Sequence, residues 1–522
     1  MNFKRNYLKI ITLVGSVFLI AGCQDSGTFV QYQNIEEVVD NHEEFVASDG
    51  SYEKHGNFAS YTAKLDSTHT RDFGNTYNVL TEFTGRNILE ATGDRKILVV
   101  PVQFSDFTIQ TLGVKPEEYI SNLNKAFFGA SKSNKYVSVA EYYNRSSYGK
   151  LRISGKVCDQ FYTYPKTVEE INQNKTLRDT VQDCYNKVLT WYEDTYHDSL
   201  DEYRIDPENG KNDVALYLVY TYPTELNTKN PEFFWAYTFQ DKPLSWSSYS
   251  TMNTLAGFPD AHTFIHEVGH LFGLVDYYPS DKTSPDPTGR IDMMDCSVGD
   301  HSALSKMWLN WARPYWVKDS CEISINALVD SGDLILINDN WNGTVFDEYY
   351  LIEFYSPTGL NYYDVNAGVI VNNNEVVKLP SLPGIKIYHV DARIGYFDKP
   401  NKSSESKNGR VFKHYCDEDG KPADPAIDLS KVNVDVVHDN STYTDAKDDS
   451  ENQYLKNLLY ELQLNHVGHS VNGCATNMNL YRTGDTFDNL TFNKLNTTNY
   501  TISVSNVNFR GATLKIEKVI EK

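Results

Sequence analysis

The hydrophobic and polar positions of this chain follow two rhythms, preceded by a stretch with none. Between residues 24 and 93 polar residues and scattered aromatics show no sustained period, which reads as a spacer, a pro-segment, or both. From Lys96 short apolar runs alternate with helical periods. Strands are expected over Ile97–Phe104, Leu151–Val157, Val214–Tyr220 and Trp235–Phe239, and helices over Pro116–Phe128 and Thr167–Glu193. This alternation predicts a mixed α/β domain whose edge strand is open to an extended peptide. After about Tyr315 the rhythm shortens to alternating strands, Cys321–Asn326, Leu334–Asn338, Tyr349–Tyr355, Gly384–Val390, Tyr500–Val504 and Thr513–Lys518. Residues 399–449, rich in Lys, Ser, Asn and Asp, read as exposed loops, and Asn452–Leu464 as one helix. The domain boundaries that follow are 94–318 for the α/β part and 319–522 for a β-rich, sandwich-like C-terminal region.

One helical period carries distinctive chemistry, the run from His266 to Asp276. An α-helix turns about 100° per residue, so His266 and His270 project from one face and can meet one metal ion. Phe264, Ile265, Val268, Leu271 and Phe272 fall on the opposite arc, which the helix can bury. Glu267 lies between the arcs, poorly aimed for ligation but well placed to hold a water, take its proton and pass it to a leaving amine. Gly273 suits a left-handed helix end, and the turn it makes can return Asp276 to the metal. Two imidazoles and one carboxylate leave a fourth position open, which marks a catalytic zinc site and not a closed structural one.

A second segment, Ile291-Asp292-Met293-Met294-Asp295, follows where metzincin-type zinc proteases place a methionine-bearing turn beneath the metal. With it stand Asp276-Tyr277-Tyr278 and Lys306-Met307-Trp308-Leu309-Asn310-Trp311. Upstream come Ile97–Asp106, Ser138-Val139-Ala140-Glu141-Tyr142-Tyr143 and Ser147-Tyr148-Gly149-Lys150-Leu151, and downstream Gly384–Asp391. In this order, over roughly 96 to 395, the chain resembles the M6, or immune inhibitor A-like, family of secreted bacterial zinc metalloproteases. The resemblance implies an α/β metzincin-like zinc protease domain with His266, His270 and Asp276 as zinc ligands and Glu267 as base. It implies Met294 as the methionine of the turn, with Met293 the alternative. Tyr277 and Tyr278 become candidate donors to a transition-state oxyanion, with packing as the competing role, and His301 is similarly placed. Family members often carry a calcium loop, and Asp206-Pro207-Glu208-Asn209-Gly210-Lys211-Asn212-Asp213 offers Asp206, Glu208 and Asp213 as calcium ligands. That stretch is one residue shorter than the usual pattern, contains a proline, and reads equally as a solvated turn. Asn310 stands where the family usually has glycine.

The first 23 residues place Lys4, Arg5 and Lys9 before an apolar run from Ile10 to Ala21 that ends at Gly22-Cys23. The run is short for a membrane span, and small residues before a cysteine suit a bacterial lipoprotein signal with lipidation at Cys23. The mature chain is then expected on the extracellular face of the cytoplasmic membrane, as a monomer held by its lipid. Six cysteines remain, Cys158, Cys184, Cys296, Cys321, Cys416 and Cys474, and three disulfides between nearest neighbours are expected. His389 and Asp391 read as core or junction residues and not as a second metal site. With 70 acidic against 48 basic residues in 522, a net charge of −22, nucleic acid and anionic lipid surfaces are disfavoured as partners.

These readings converge on a surface-anchored zinc endopeptidase acting on proteins or peptides. An adhesin that keeps the metal site as scaffold, or a zinc hydrolase of cell-wall amides, are the alternatives; the intact Glu267 argues against the first. An aspartate in place of a third histidine puts more negative charge on the metal and weakens it as a Lewis acid. Asp276→His is therefore expected to yield a more strongly acidic metal, checked by metal affinity and the pH–rate profile.

Overall fold

In a computed structural model, the residues described are 29–32, 87–391 with interior gaps of which 278–287 is the longest, 394–398, 410–414, 461–464, and 474–518 without 489 and 491–499. They form two compact units, one built from Gly85–Leu274 with Gly368–Glu375, the other from Val275–Ala367 and Val376–Lys522. The lipidation candidate Cys23 and most of the 24–93 stretch lie outside the described residues.

The first unit is organised by a six-stranded, mostly parallel sheet. Its strands are β1 (Gly93–Phe104), β2 (Leu151–Val157), β3 (Tyr162–Tyr164), β4 (Leu216–Tyr220), β5 (Tyr237–Phe239) and β6 (Leu244–Ser248). The order is β2-β1-β4-β6-β5, with β3 also on β1. β1 runs parallel to β2, β3 and β4, and β4 to β6, whereas β5 closes the sheet antiparallel to β6. Parallel strands need crossovers that cover both faces, which is why Leu98, Val99, Val100 and all of β4 are buried without alternation. Helices α1 (Pro116–Phe128), α2 (Val139–Ser146) and α3 (Leu177–Tyr196) supply that cover. α1 begins at Pro116 as expected, its fixed φ suiting the first turn. The expected helix over Thr167–Glu193 is instead Val168–Gln173 followed by α3.

Strand β6 is absent from the sequence reading because Leu244-Ser245-Trp246-Ser247-Ser248 looks polar. All five residues are buried, and the serines are hydrogen-bonded: Ser247 to the Tyr217 hydroxyl at 2.9 Å, Ser248 to the Tyr222 carbonyl at 2.8 Å, Ser245 to Thr238 at 2.8 Å. Cys158 and Cys184, expected as a disulfide, are free thiols buried in this core. Burial pushes the Cys158 thiol up to about 12 and Cys184 higher still, so both pack as small apolar groups. The other expected pairings each include a cysteine outside the described residues, Cys296 or Cys416.

The second unit begins earlier than the boundary expected at 318, because the methionine turn and the short helix α5 (Ala303–Trp308) belong with the strands that follow. The Ala303 amide donates to Glu353 at 2.6 Å, Glu353 also pairs with Lys386, and Lys306 pairs with Asp300 at 2.6 Å with its side chain fully buried. Five strands, β7 (Tyr315–Val317), β9 (Leu334–Ile337), β10 (Glu348–Tyr355), β11 (Gly384–Asp391) and β12 (Glu461–Leu464), make one sheet in that order. A second sheet runs β8 (Cys321–Asn326), β15 (Gly511–Lys518), β14 (Tyr500–Val507), β13 (Thr486–Phe487). β12 corrects part of the helix expected over Asn452–Leu464: Glu461-Leu462-Gln463-Leu464 alternates with period two and pairs antiparallel with β11, while 452–460 lie outside the described residues. Asn310 sits just past α5 at φ 61, the left-handed conformation that glycine takes freely and asparagine tolerates best among other residues.

Gly155 in β2 lies opposite Ile97, and a Cβ there would stand 1.9 Å from the Ile97 carbonyl oxygen. Backbone cannot yield as a side chain can. Gly155→Ala is expected to lower stability by about 2–3 kcal/mol, by forcing β1 and β2 apart, as measured by urea unfolding.

Candidate metal centre

The site rests on α4 (His262–Leu271), every residue of which is buried. Phe264 stacks on Phe127 of α1 at 4.9 Å between ring centroids and meets Tyr217 of β4 edge-on at 5.3 Å. Tyr143 of α2 donates from its hydroxyl to the Ile265 carbonyl at 2.7 Å and packs its ring near Phe272 at 5.3 Å. That contact gives the Ser138–Tyr143 segment a physical role: Ser138 caps α2 by accepting from the Glu141 amide, and the capped helix presents Tyr143 to the metal helix. The Leu89 amide donates to the Leu271 carbonyl at 2.8 Å and so occupies one of the acceptors left free at the helix end.

The helix ends as the spacing predicts. Gly273 has φ 92, and the Leu274 amide reaches back to the Gly269 carbonyl at 3.2 Å, a left-handed glycine closure. His270 Nδ1 lies 2.9 Å from the Leu274 carbonyl. Since a carbonyl only accepts, Nδ1 carries the hydrogen, and Nε2 keeps its lone pair for a metal. Within one residue of the turn the chain has both capped the helix and set the tautomer of a ligand.

His266, His270 and Asp276 bring one donor atom each to within 4.8 Å of one another. They are the one such group of His, Cys, Asp and Glu among the described residues. Tetrahedral zinc, with bonds of ~2.0–2.1 Å, needs donors roughly 3.3 Å apart, so a bound ion would draw the three side chains together. The donor set also suits the ion: borderline nitrogen ligands with one oxygen, three in all. The two imidazoles stand edge to face, 5.0 Å between centroids.

Glu267 is buried and does not ligate. Thr238 of β5 donates from Oγ1 to its Oε2 at 2.7 Å, and the same oxygen lies 3.0 Å from the Glu267 carbonyl. One turn before His266, His262 Nδ1 sits 2.7 Å from Asp260 Oδ1, both buried. Thr238, Asp260 and His262 are absent from the sequence reading; only His262, at the same helical spacing as the ligand pair, carried a signal that could have found it.

Asp276 is followed by a residue pinned at both ends. The Tyr277 amide donates to the Met294 carbonyl at 2.8 Å, and its hydroxyl bonds Ser305 Oγ at 2.8 Å. Ser305 in turn donates to Asp292 Oδ2 at 3.0 Å, which also accepts from the Ser302 amide at 2.6 Å, while Asp292 Oδ1 accepts from the Met294 amide at 2.7 Å. The Ile291–Asp295 turn thus braces the segment that follows Asp276. Met294 and Met293 are both buried, and it is Met294 whose backbone makes the brace. With its hydroxyl spent on Ser305, Tyr277 is a strut and not an oxyanion donor; Tyr278 lies outside the described residues. His301, fully buried 3.5 Å from Asp292, belongs to the same brace.

The calcium candidates do not converge. Asp213 is engaged by Lys242 at 2.7 Å and by Asn87 at 2.9 Å, and Asp206, Glu208 and Asp213 form no metal-holding group among the described residues. The lysine supplies the positive charge that a cation would have brought. His389 bonds Glu348 at 2.9 Å and stacks on Tyr350 in the second unit's sheet. No protein-family model and no curated protein matches the chain.

Burial opposes ionisation of Asp292, yet the neighbouring His301 ring, 3.5 Å away, and hydrogen bonds from Ser302 and the Met294 amide outweigh it and hold the carboxyl below its usual range. A depressed folded value means that the stabilisation is complete above the unfolded value of about 3.9 and is lost as pH falls through the folded one. Acid unfolding of the wild type is expected to steepen below about pH 4, and Asp292→Asn to flatten that limb while lowering stability at neutral pH. Circular dichroism against pH checks both. Tyr277→Phe, which removes one buried hydrogen bond, is expected to cost about 1 kcal/mol in urea unfolding and leave metal binding intact.

Proposed function

We propose that this protein is a zinc-dependent peptidase of the metzincin-like α/β type, resembling the M6 family, exported and held by lipid at Cys23. The observation that carries the reading is the convergence of His266, His270 and Asp276 with Glu267 between the two histidines. A zinc ion in this place supplies Lewis acidity, polarising a carbonyl and making water more acidic. The rest belongs to the chain. His270 offers Nε2 because Leu274 holds Nδ1, and the other two donors complete a three-ligand face. Glu267, whose Oε2 accepts from Thr238, supplies the carboxylate that takes a proton from attacking water and returns it to the departing amine nitrogen. Strand β5 ends its sheet among the described residues and carries Thr238 to that carboxylate, so an extended peptide pairing along β5 would run beside the base.

A scaffold-only metal site would have no use for a buried glutamate held by a neighbouring strand, which favours hydrolysis over adhesion. The purified protein is expected to hold one zinc per chain and to cleave a denatured protein, with activity removed by a chelator and restored by zinc. Glu267→Gln is expected to lower kcat by about 10²–10⁴-fold while metal content and unfolding midpoint stay unchanged. Absence of stoichiometric metal, or a rate indifferent to Glu267, overturns the reading; cleavage of peptidoglycan amides with no action on protein moves it to the cell wall.

A further inference from the structure

Among the described residues five large apolar side chains are exposed, and three of them, Leu382 at 42%, Met478 at 65% and Phe509 at 58%, are brought to one end of the second unit. At that end β10 finishes at Tyr355 opposite the start of β11 at Gly384. Leu382 lies in the loop entering β11. Its amide and that of Ser381 donate to Asn477 Oδ1 at 3.0 and 2.9 Å, which ties the loop to the turn carrying Met478. The tip of the β14–β15 hairpin reaches the same end, because Ser356, the residue after β10, donates from Oγ to the Phe509 carbonyl at 3.1 Å.

These tips are held by their backbones. Asn508 Oδ1 accepts from the amides of Arg510 and Gly511 at 2.9 and 3.2 Å, and the Ala327 amide donates to the Arg510 carbonyl at 3.3 Å. The Tyr355 hydroxyl donates to the Pro380 carbonyl at 3.0 Å, and Asn477 Nδ2 to Ser381 Oγ at 3.2 Å. Each loop is thus bonded inward while its apolar side chain stays in water. Single exposed apolar residues are ordinary, but several on pinned neighbouring tips mark a contact surface.

Charge says what it contacts. The chain carries 70 acidic residues in 522, yet 355–361, 379–384, 475–481 and 507–511 hold no Asp or Glu, and their one charged residue is Arg510. The rest is Ser, Thr, Asn, Pro, Gly, Tyr and aliphatic side chains. A protein partner would not require acid to be cleared from four separate loops, whereas phosphate headgroups would repel it. The overall acidity that disfavours lipid surfaces for the chain is therefore absent where these tips meet.

We propose that this end of the second unit is a docking face for a phospholipid bilayer, with Phe509, Met478 and Leu382 entering the boundary between headgroups and acyl chains and Arg510 meeting phosphate. The inference goes beyond the peptidase reading and does not depend on it. A lipid at Cys23 would keep the face close to a membrane, so that weak contacts suffice to dock it.

The test uses the chain from Gln24 to Lys522, which contains every described residue and lacks the lipid site, with sucrose-loaded vesicles of phosphatidylcholine. The wild type is expected to sediment with the vesicles, and the triple variant Leu382→Ser, Met478→Ser, Phe509→Ser to bind at least about tenfold more weakly with an unchanged unfolding midpoint. Leu226→Ser, which removes an exposed apolar residue of the first unit, is expected to bind as the wild type does. Phe509→Trp is expected to add emission that brominated phosphatidylcholine quenches, measured against the wild type's own tryptophans. Should the triple variant fail to fold, Phe509→Ser and Met478→Ser are tested singly. Equal binding by the triple variant, an equal loss in Leu226→Ser, or an added tryptophan that the brominated lipid leaves unquenched overturns the proposal. A dimer that forms without vesicles and is lost in the triple variant, with vesicle binding unaltered, overturns it in favour of a second copy of this chain.

Discussion

The site depends on one backbone constraint, the left-handed turn at Gly273. It stops α4 one residue after His270 has been placed, closes the helix through the Leu274 amide, and turns the Leu274 carbonyl toward His270 Nδ1. A residue with a Cβ would resist that φ at a cost of roughly 1 kcal/mol or more, and any shift in the turn would move the tautomer-setting carbonyl and the path to Asp276 together. The placing of His270, its orientation and the chain's route to Asp276 are therefore one local decision.

The surroundings convert that local decision into a held geometry. Tyr143 fastens the middle of α4 by the Ile265 carbonyl, Phe264 is wedged between Phe127 and Tyr217, and Thr238 donates to one oxygen of the Glu267 carboxylate. Beyond Asp276 the same logic recurs with different groups: the Met294 carbonyl and Ser305 hydroxyl hold Tyr277, and the Asp292 carboxylate gathers three donors around the turn. Polar atoms buried this deeply would cost several kcal/mol each if left unbonded, so each bond in the brace is enforced by its own burial. The fully buried Lys306–Asp300 pair belongs to the same economy, specifying where α5 sits more than adding stability.

Where the sequence reading missed, the reasons are local chemistry hidden by context. β6 looked polar because its serines are satisfied by partners up to 30 residues away, which no local period records. Cys158 and Cys184 pair by count as a disulfide, yet both are free thiols packed in the core of the first unit. The calcium stretch had oxygen donors at suitable offsets, but Lys242 reaches Asp213 from a distant loop. Tyr277 was a fair candidate for the oxyanion until Ser305 claimed its hydroxyl.

The helix with two histidines four apart, the glutamate beside the first, the glycine after the second and the aspartate beyond were legible in the sequence because each follows from helical pitch or from what only glycine can do cheaply, interactions spanning a handful of residues. The principal strands of both units were legible for the same reason, since period two and continuous apolar runs are local signals. Thr238 against Glu267, Tyr143 under Ile265 and Asp292 behind Ser305 were not, because a hydroxyl, a phenol or a carboxylate announces no partner in its own neighbourhood. Their roles exist only once the strands are ordered and the helices packed, when burial leaves each of those groups a single place to bond.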